Sequence, residues 1–305
     1  MDLIDGCRVF VATVDSGSFA GAGERLGMSG KLASKYLGQL EDRLGVRLLQ
    51  RTTRRLGMTV AGEKLYARLP HWLDELDEIR SDLKESGSGL SGTLRVSAPL
   101  TFGEIRVQQV LRRFQARHDD LVIDLRLSDS YVDLAAEGID LAIRIGNLAS
   151  SALIARRLGR TAMVVAAAPA YLERHGTPKT PQDLIRHECI RDTNLRTPGG
   201  GWPLAENGEP VRVPVRGHYL VNSARAARDI CLEAEGIALC PDYVVGEDLA
   251  AGRLTQLLKE HQPAPLAINA VYLDGRRMPR RVRAFLDFLK TESFNFSEAP
   301  SGDQG

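Results

Sequence analysis

Ser29, Lys31, Ser34 and Lys35 place two hydroxyls and two ammonium groups within seven residues, a chemistry suited to a polyanion. Ser29 precedes a helical pattern, so its hydroxyl can cap the first turn while neighbouring N–H groups point at an anion. Lys31, Ser34 and Lys35 follow at helical spacing, within reach of base edges or flanking phosphates. A second cluster, Arg51, Thr52, Arg54 and Arg55, gathers three guanidinium groups and a hydroxyl around a turn. A tip of that kind reaches an adjacent minor groove or the phosphate backbone. Between positions 25 and 55 eight basic residues stand against two acidic ones, a surplus of six in a 305-residue chain whose net charge is +1. Such a local block is the footprint of a phosphate-binding surface. A helical bundle with a solvated basic face would carry the same charges, so the flanking elements must decide.

Those elements favour the first reading. Ile4, Cys7, Val11 and Val14 recur at helical spacing over residues 3–15, and Ser16-Gly-Ser ends that helix. Ser18 caps a second helix over Phe19–Leu26, in which Gly21 and Gly23 are tolerable only if another helix packs close. Gly27 ends it and Ser29 starts a third helix, Gly30–Leu44. Ala33, Leu37, Leu40 and Leu44 make its apolar stripe, with Lys31, Lys35, Gly38 and Asp42 opposite and Ser34 on the flank. Residues 46–58 read as a β-hairpin whose tip is Arg51-Thr-Thr-Arg-Arg. Thr59 then caps a helix over 60–84 with Leu65, Leu69, Trp72, Leu76, Ile79 and Leu83 at a/d spacing, a seam that asks for a second copy of itself. Pro70 inside that span predicts a kink.

Ser86-Gly-Ser-Gly-Leu-Ser-Gly is a flexible linker by composition. Beyond it strands and helices alternate: strands at 93–98, 121–127, 140–145, 162–168, 237–240 and 266–273, and helices at 103–118, 133–138, around Tyr171, 223–235 and 280–290. The pattern predicts an α/β domain over residues 93–290, followed by a disordered tail, 291–305. Gly199-Gly-Gly before Trp202 reads as a turn.

Several classes of chemistry find no support. Cys7, Cys189, Cys231 and Cys240 form no Cys-x-x-Cys pair and have no histidine cluster beside them, so neither a metal site nor a cofactor is expected. There is no Gly-x-Ser-x-Gly elbow, His-Glu-x-x-His or phosphate-binding Gly-rich loop, so catalytic residues are not assigned. No run of eighteen apolar residues suggests a membrane span, and the acidic start is unlike a signal peptide. A cytoplasmic protein is expected, with its thiols reduced.

Ser16-Gly-Ser-Phe-Ala, Glu24-Arg-Leu-Gly-Met-Ser, Leu40-Glu-Asp-Arg-Leu-Gly-Val-Arg-Leu-Leu, Gln50-Arg-Thr-Thr-Arg-Arg-Leu and Thr59-Val-Ala-Gly-Glu together resemble the LysR-type transcriptional regulators. The resemblance continues through Gly92-Thr-Leu-Arg-Val-Ser-Ala-Pro, Asp140-Leu-Ala-Ile-Arg-Ile-Gly, Pro169-Ala-Tyr-Leu-Glu-Arg-His-Gly-Thr-Pro and Gly236-Ile-Ala-Leu-Cys-Pro, covering residues 3 to 290. It implies a winged helix-turn-helix domain (1–59), a linker and dimerisation helix (60–85), a hinge (86–92) and a two-lobed effector domain like the periplasmic binding proteins. Lobe one would comprise 93–161 and 267–290, and lobe two 162–266. It also implies double-stranded DNA as partner, a small-molecule effector such as a carboxylate or an aromatic, and a homodimer or homotetramer. Departures fall at Gly30 and Lys31, where the family usually has proline or glutamine and a small polar residue. Lys35 replaces a common arginine, and Gly21 and Gly23 replace alanines.

By the same resemblance Ser97, Pro99, Thr101 and Phe102 line the effector cleft. Ser128 ends a strand, where α/β domains bind ligands. Arg144 offers a charge, and Asn222 opens a helix from lobe two. Each has a structural role as the alternative: Ser97 and Ser128 satisfying local backbone, Arg144 pairing with Asp140 or another acid. The rival to a ligand-responsive regulator is a solute-binding protein or α/β enzyme with a helical N-terminal extension.

Overall fold

The computed structural model describes residues 2–51, 56–82, 89–130, 133–146, 153–195, 201–273, 278–292 and 294–295. Three helices open the chain: α1 (Leu3–Ser16), α2 (Phe19–Leu26) and α3 (Gly30–Leu44). Ser18 and Ser29 accept the N–H groups of Gly21 and Leu32, capping α2 and α3 as their sequence predicts. Val9, Phe10, Ala22, Ala33, Leu37 and Leu40 fill the core between the helices. Gly23 and Gly30 mark the close approach: a Cβ on Gly23 would sit 2.5 Å from the Met28 carbonyl oxygen, and one on Gly30 3.0 Å from that of Phe19. Glycine here exchanges helix propensity for contact between α2 and α3.

The apolar stripe of α3 is shorter than expected. Leu44 is 44% exposed, and Glu41 is buried in its stead. Glu41 accepts the N–H groups of Leu48 (2.8 Å) and Leu49 (3.1 Å) and the Arg47 guanidinium (2.7 Å). It thereby fixes the start of an antiparallel hairpin, β1 (Leu49–Arg51) and β2 (Leu56–Met58), with Gln50 opposite Gly57. The tip that holds Thr52, Arg54 and Arg55 lies outside the described residues.

The expected single helix over 60–84 is two helices: α4 (Val60–Tyr66) and α5 (Leu69–Asp82). Pro70 has no N–H for the Tyr66 carbonyl and its ring crowds that turn, so the helix breaks at Ala67–Arg68. It restarts with proline in the first turn, where the missing donor costs nothing. The a/d seam divides accordingly. Leu69 is buried in the core of its own head, joined there by Leu73, whereas Trp72 and Ile79 stay exposed. Leu83 lies outside the described residues.

The C-terminal part forms two sheets. Strand β3 (Gly92–Ala98) leads into α6 (Leu100–Phe102), a π-helical stretch (Gly103–Val107) and α7 (Gln108–Gln115), then β4 (Leu121–Leu127), β5 (Leu141–Ile145) and β6 (Leu153–Thr161). The helix expected from Gly103 thus starts at Leu100, because the Asp129 carboxylate accepts the Leu100 N–H (3.1 Å). Residues 133–138, expected as a helix, form turns, with Asp133 accepting the N–H groups of Ala135 and Ala136.

The chain then crosses to β7 (Met163–Ala167), α8 (Pro169–His175), β8 (Cys189–Asp192), the hairpin of β9 (Trp202–Glu206) and β10 (Glu209–Val213), β11 (Leu220–Val221), α9 (Ala224–Leu232), β12 (Ile237–Pro241), α10 (Asp242–Ala250) and β13 (Thr255–Leu257). It returns as β14 (Leu266–Leu273), α11 (Arg280–Phe288) and β15 (Phe294–Asn295). The first sheet has the order β15-β6-β14-β5-β3-β4 and the second β11-β8-β12-β7-β13. Each carries its own apolar core. Of the tail expected to be disordered from 291, the described residues 294–295 instead join the first sheet, and 296–305 lie outside the described residues. Phe294 is buried on β15, which runs parallel to β6, and Glu292 pairs with Arg113.

Candidate nucleic-acid interface and effector cleft

The capped N-terminus of α3 presents Ser29, Lys31 and Lys35 as exposed residues, with Ser34 half-buried between the lysines. Ala33, Leu37 and Leu40 bury the opposite face. Ser29 spends its oxygen on the Leu32 N–H, which leaves its O–H to donate to a phosphate. Two members of the basic block are held in structural ion pairs, Arg25 with Asp15 (2.8 Å) and Arg47 with Glu41. The charge surplus therefore overstates the cationic face, and α3 itself carries its centre. The side chain of Arg51 lies outside the described residues, as do Thr52, Arg54 and Arg55. Composition passed over Leu32, which is 37% exposed beside Lys31. A branched apolar group there suits a thymine methyl.

Between the sheets lies a cleft in two contiguous parts. The outer part encloses about 690 Å³ and the inner about 200 Å³; Asp129, Arg144, Ile145, Met163, Asn194 and Leu266 border both. Pro99, Thr101, Phe102 and Arg144 are among the residues that line it. Ser97 and Ser128 serve it indirectly. The Arg144 guanidinium donates to the Ser97 hydroxyl (3.4 Å) and the Ser128 carbonyl (3.3 Å), which hold it at the floor. The Ser128 hydroxyl accepts the N–H of Ser130, a local turn contact. Asn222 is not in the lining; its carbonyl accepts the Asn194 amide (2.6 Å).

Sequence reasoning missed Asp129, Asp192, Asn194 and Tyr243 in the cleft wall. Asp129 and Asn194 directly follow Ser128 and Thr193, at strand ends where ligand sites gather, and that position was the available signal. Asn194 donates to the Asp129 carboxylate across the cleft (3.1 Å), Thr101 meets Ser223 (3.5 Å), and Arg225 pairs with Glu104 (3.5 Å). These contacts join the two lobes. At the crossing, Asp242 accepts the Thr161 hydroxyl (2.7 Å) and the Ala162 N–H (3.0 Å). Burial pushes the Asp192 carboxyl up and nearby Asp129 adds to that, with the Asn194 N–H opposing. Burial likewise raises the Tyr243 hydroxyl.

A further cavity, about 580 Å³, lies where α1, α2 and α5 meet β3 and β4. Its arginines are already paired: Arg8 with Asp77, Arg25 with Asp15, Arg95 with Asp74, and Arg126 with Asp124. Asp140 sits near this joint. It accepts the Arg95 N–H (2.9 Å) and lies 3.3 Å from His71 and 3.6 Å from Arg281. Asp140, the acid that sequence offered as a structural partner for Arg144, is thus engaged at the linker helix. The four thiols are buried; burial pushes Cys189 and Cys231 up to about 12, which makes them poor nucleophiles. Among the described residues no cluster suits a metal ion.

Comparison with known proteins places this geometry. The family model for bacterial regulatory helix-turn-helix proteins of the lysR family matches residues 4–63, and that for the LysR substrate binding domain matches residues 87–293. The HTH-type transcriptional regulator PtxR of Pseudomonas aeruginosa is 36% identical, over 92% of this chain and 90% of its own. The regulator CrgA of Neisseria meningitidis is 33% identical, over 94% and 96%. Among solved structures, the full-length Vibrio cholerae virulence activator AphB, a member of the LTTR protein family, superposes with a TM-score of 0.62 at 29% identity, covering 96% of this chain and 99% of that one. The CrgA structure gives 0.61 at 31%, covering 94% and 97%.

Proposed function

We propose, from the premise that this chain belongs to the LysR family of transcription regulators, that it reads DNA through the exposed N-terminal flank of α3. Ser29, Lys31, Ser34 and Lys35 form the reading surface. Arg51, Thr52, Arg54 and Arg55 of the wing contact the adjacent minor groove or backbone. One observation carries this reading: α3 is capped by Ser29, buries Ala33, Leu37 and Leu40, and turns both lysines outward.

The second half of the proposal is control by a small molecule in the cleft between the two sheets, with Pro99, Thr101, Phe102 and Arg144 in contact and Ser97 and Ser128 orienting Arg144. Residues 1–59 act as the DNA head, 60–85 as linker and dimerisation element, and the two lobes as effector domain. Two copies pair through α5 and present two heads to a pseudo-palindromic site in the cytoplasm. Ligand shifts a pre-existing equilibrium between head arrangements. No enzymatic step is required, and the named relatives are transcriptional regulators. The rival, a solute-binding protein or α/β enzyme with a helical extension, loses its ground because the head itself matches the regulatory family over residues 4–63.

Gel-shift titration against the promoter region beside its own gene tests the reading. A sequence-selective complex whose affinity falls steeply with salt is expected. Equal affinity for promoter and random DNA at every salt concentration would refute it.

A further inference from the structure

We propose that the effector of this cleft carries a primary ammonium group on a compact apolar body, with Asp129 and Asp192 facing the ammonium. The proposal rests on the cleft being the effector site and adds the chemistry of its occupant. Among the described residues, the ionisable groups that line the inner part are Asp129, Asp192, Arg144 and Tyr243, and the outer part adds none. Among these described groups two carboxyls stand against one guanidinium, and the Tyr243 hydroxyl is held in its neutral form by burial. Arg144 donates to the Ser97 hydroxyl and the Ser128 carbonyl. Asp129 has hydrogen bonds to the Leu100 N–H and the Asn194 amide, both neutral donors, and Asp192 accepts the Asn194 N–H.

The consequence is visible in the titration of Asp192. Burial and the neighbouring Asp129 both raise its carboxyl, and the one backbone donor does not offset them. A carboxylate ligand would bring a third anion into this wall. An ammonium group relieves the crowding and offers three donors to acceptors already in place. The outer part supplies the other half of the match. Met163, Leu195, Pro203, Leu204, Pro210 and Leu266 border it, a surface for an aliphatic or aromatic body.

Three compounds of nearly equal shape test the assignment on the full-length protein: 3-phenylpropylamine, 3-phenylpropan-1-ol and 3-phenylpropionate. Each is titrated calorimetrically, and its effect on the thermal midpoint is recorded at equal concentration. The amine should bind about tenfold tighter than the alcohol and the carboxylate weakest of all. Asp192→Asn keeps the acceptor for the Asn194 N–H and should erase most of that preference while the free protein melts as before. The ranking on the unaltered protein needs no variant, so it stands even where Asp192→Asn folds poorly. Tightest binding by the carboxylate, lost in Arg144→Met, would keep the cleft as the effector site and overturn the ammonium assignment. Absence of binding by all three would also overturn it. DNA affinity of the ligand-free protein, measured in parallel, judges the regulator reading separately.

Discussion

At the scale of single residues, Lys35 and Glu41 sit less than two turns apart on α3 and do opposite work. Lys35 faces outward from the reading flank. Lys35→Ala should weaken the preferred DNA site about fivefold, near 1 kcal/mol, and random DNA less. Competition gel shifts with both DNAs check this; equal losses would restrict Lys35 to phosphate. Glu41 faces inward and holds the wing. Burial opposes its charge, yet the N–H groups of Leu49 and Leu48 and the Arg47 guanidinium outweigh burial and keep its carboxyl below the ordinary range. A carboxyl lowered by folding stabilises the native state above the pKa of the unfolded glutamate, about 4.3. That stability disappears as pH falls through the native value. Glu41→Gln should cost about 1–2 kcal/mol at neutral pH. Melting curves from neutral pH downward should show the variant and the parent converging in acid. Nothing in the residue pattern separates these two roles, because Glu41 reads as one more charge beside Asp42 and Arg43. Its role depends on Leu48 and Leu49 folding back, which lies beyond helical periodicity. For the same reason Leu44 read as core and is exposed.

At the scale of elements, legibility followed how local each element's cause is. The serine and glycine caps of α2 and α3 are adjacent in sequence, and those helices end where expected. Strand β4 was plain from Leu121, Ile123, Leu125 and Leu127. Strand β6 was not, since Arg156, Arg157 and Arg160 interrupt its apolar residues. Arg156 reaches the Leu286 carbonyl (3.1 Å), a partner 130 positions away. The β9–β10 hairpin was hidden by Pro203 and Pro210, and its buried alternation of Trp202 and Leu204 shows only in the folded chain. The cleft suffers most, because Asp129 and Asp192 come from different lobes. One element-scale feature reaches from the cleft to the head. Strands β3 and β5 pair side by side, and on or just before each a linker contact is followed by one partner of the Arg144–Ser97 hydrogen bond at the cleft. On β3 these are Arg95 and Ser97. For β5 they are Asp140, immediately before it, and Arg144. Arg95 pairs with Asp74 of α5 at 2.7 Å and is 9% exposed in its side chain. Asp74→Ala should loosen α5 from this pair of strands and raise amide exchange in α5 about tenfold, a cost near 1.4 kcal/mol, while lobe-two strands exchange as before. Unchanged exchange in α5 would show that the joint is held by packing alone.

At the scale of the whole molecule, the unanswered surface is the outer face of α5. The break at Ala67–Arg68 turns Leu69 and Leu73 into the head, so the remaining seam is Trp72, Leu76 and Ile79, with Trp72 43% and Ile79 44% exposed. Spacings of four and three put the three on one stripe. A tryptophan left half in water on a helix between two domains gains most by meeting a second copy of itself. If pairing occurs there, its loss has a signature that no folding defect imitates. Trp72→Ala with Ile79→Ala should yield a monomer in sedimentation, with the thermal midpoint of the effector domain retained. One head then binds where two bound before. The second head no longer acts at high effective concentration, so apparent affinity for the promoter should fall about 100-fold. The number of phosphates neutralised per complex also halves, so the slope of log affinity against log salt should fall to about half its parental value. A substitution that merely damaged the reading helix would lower affinity and leave the dimer intact. A variant that stays dimeric with an unchanged salt slope would move the pairing surface away from α5, and with it the spacing of the two heads on DNA.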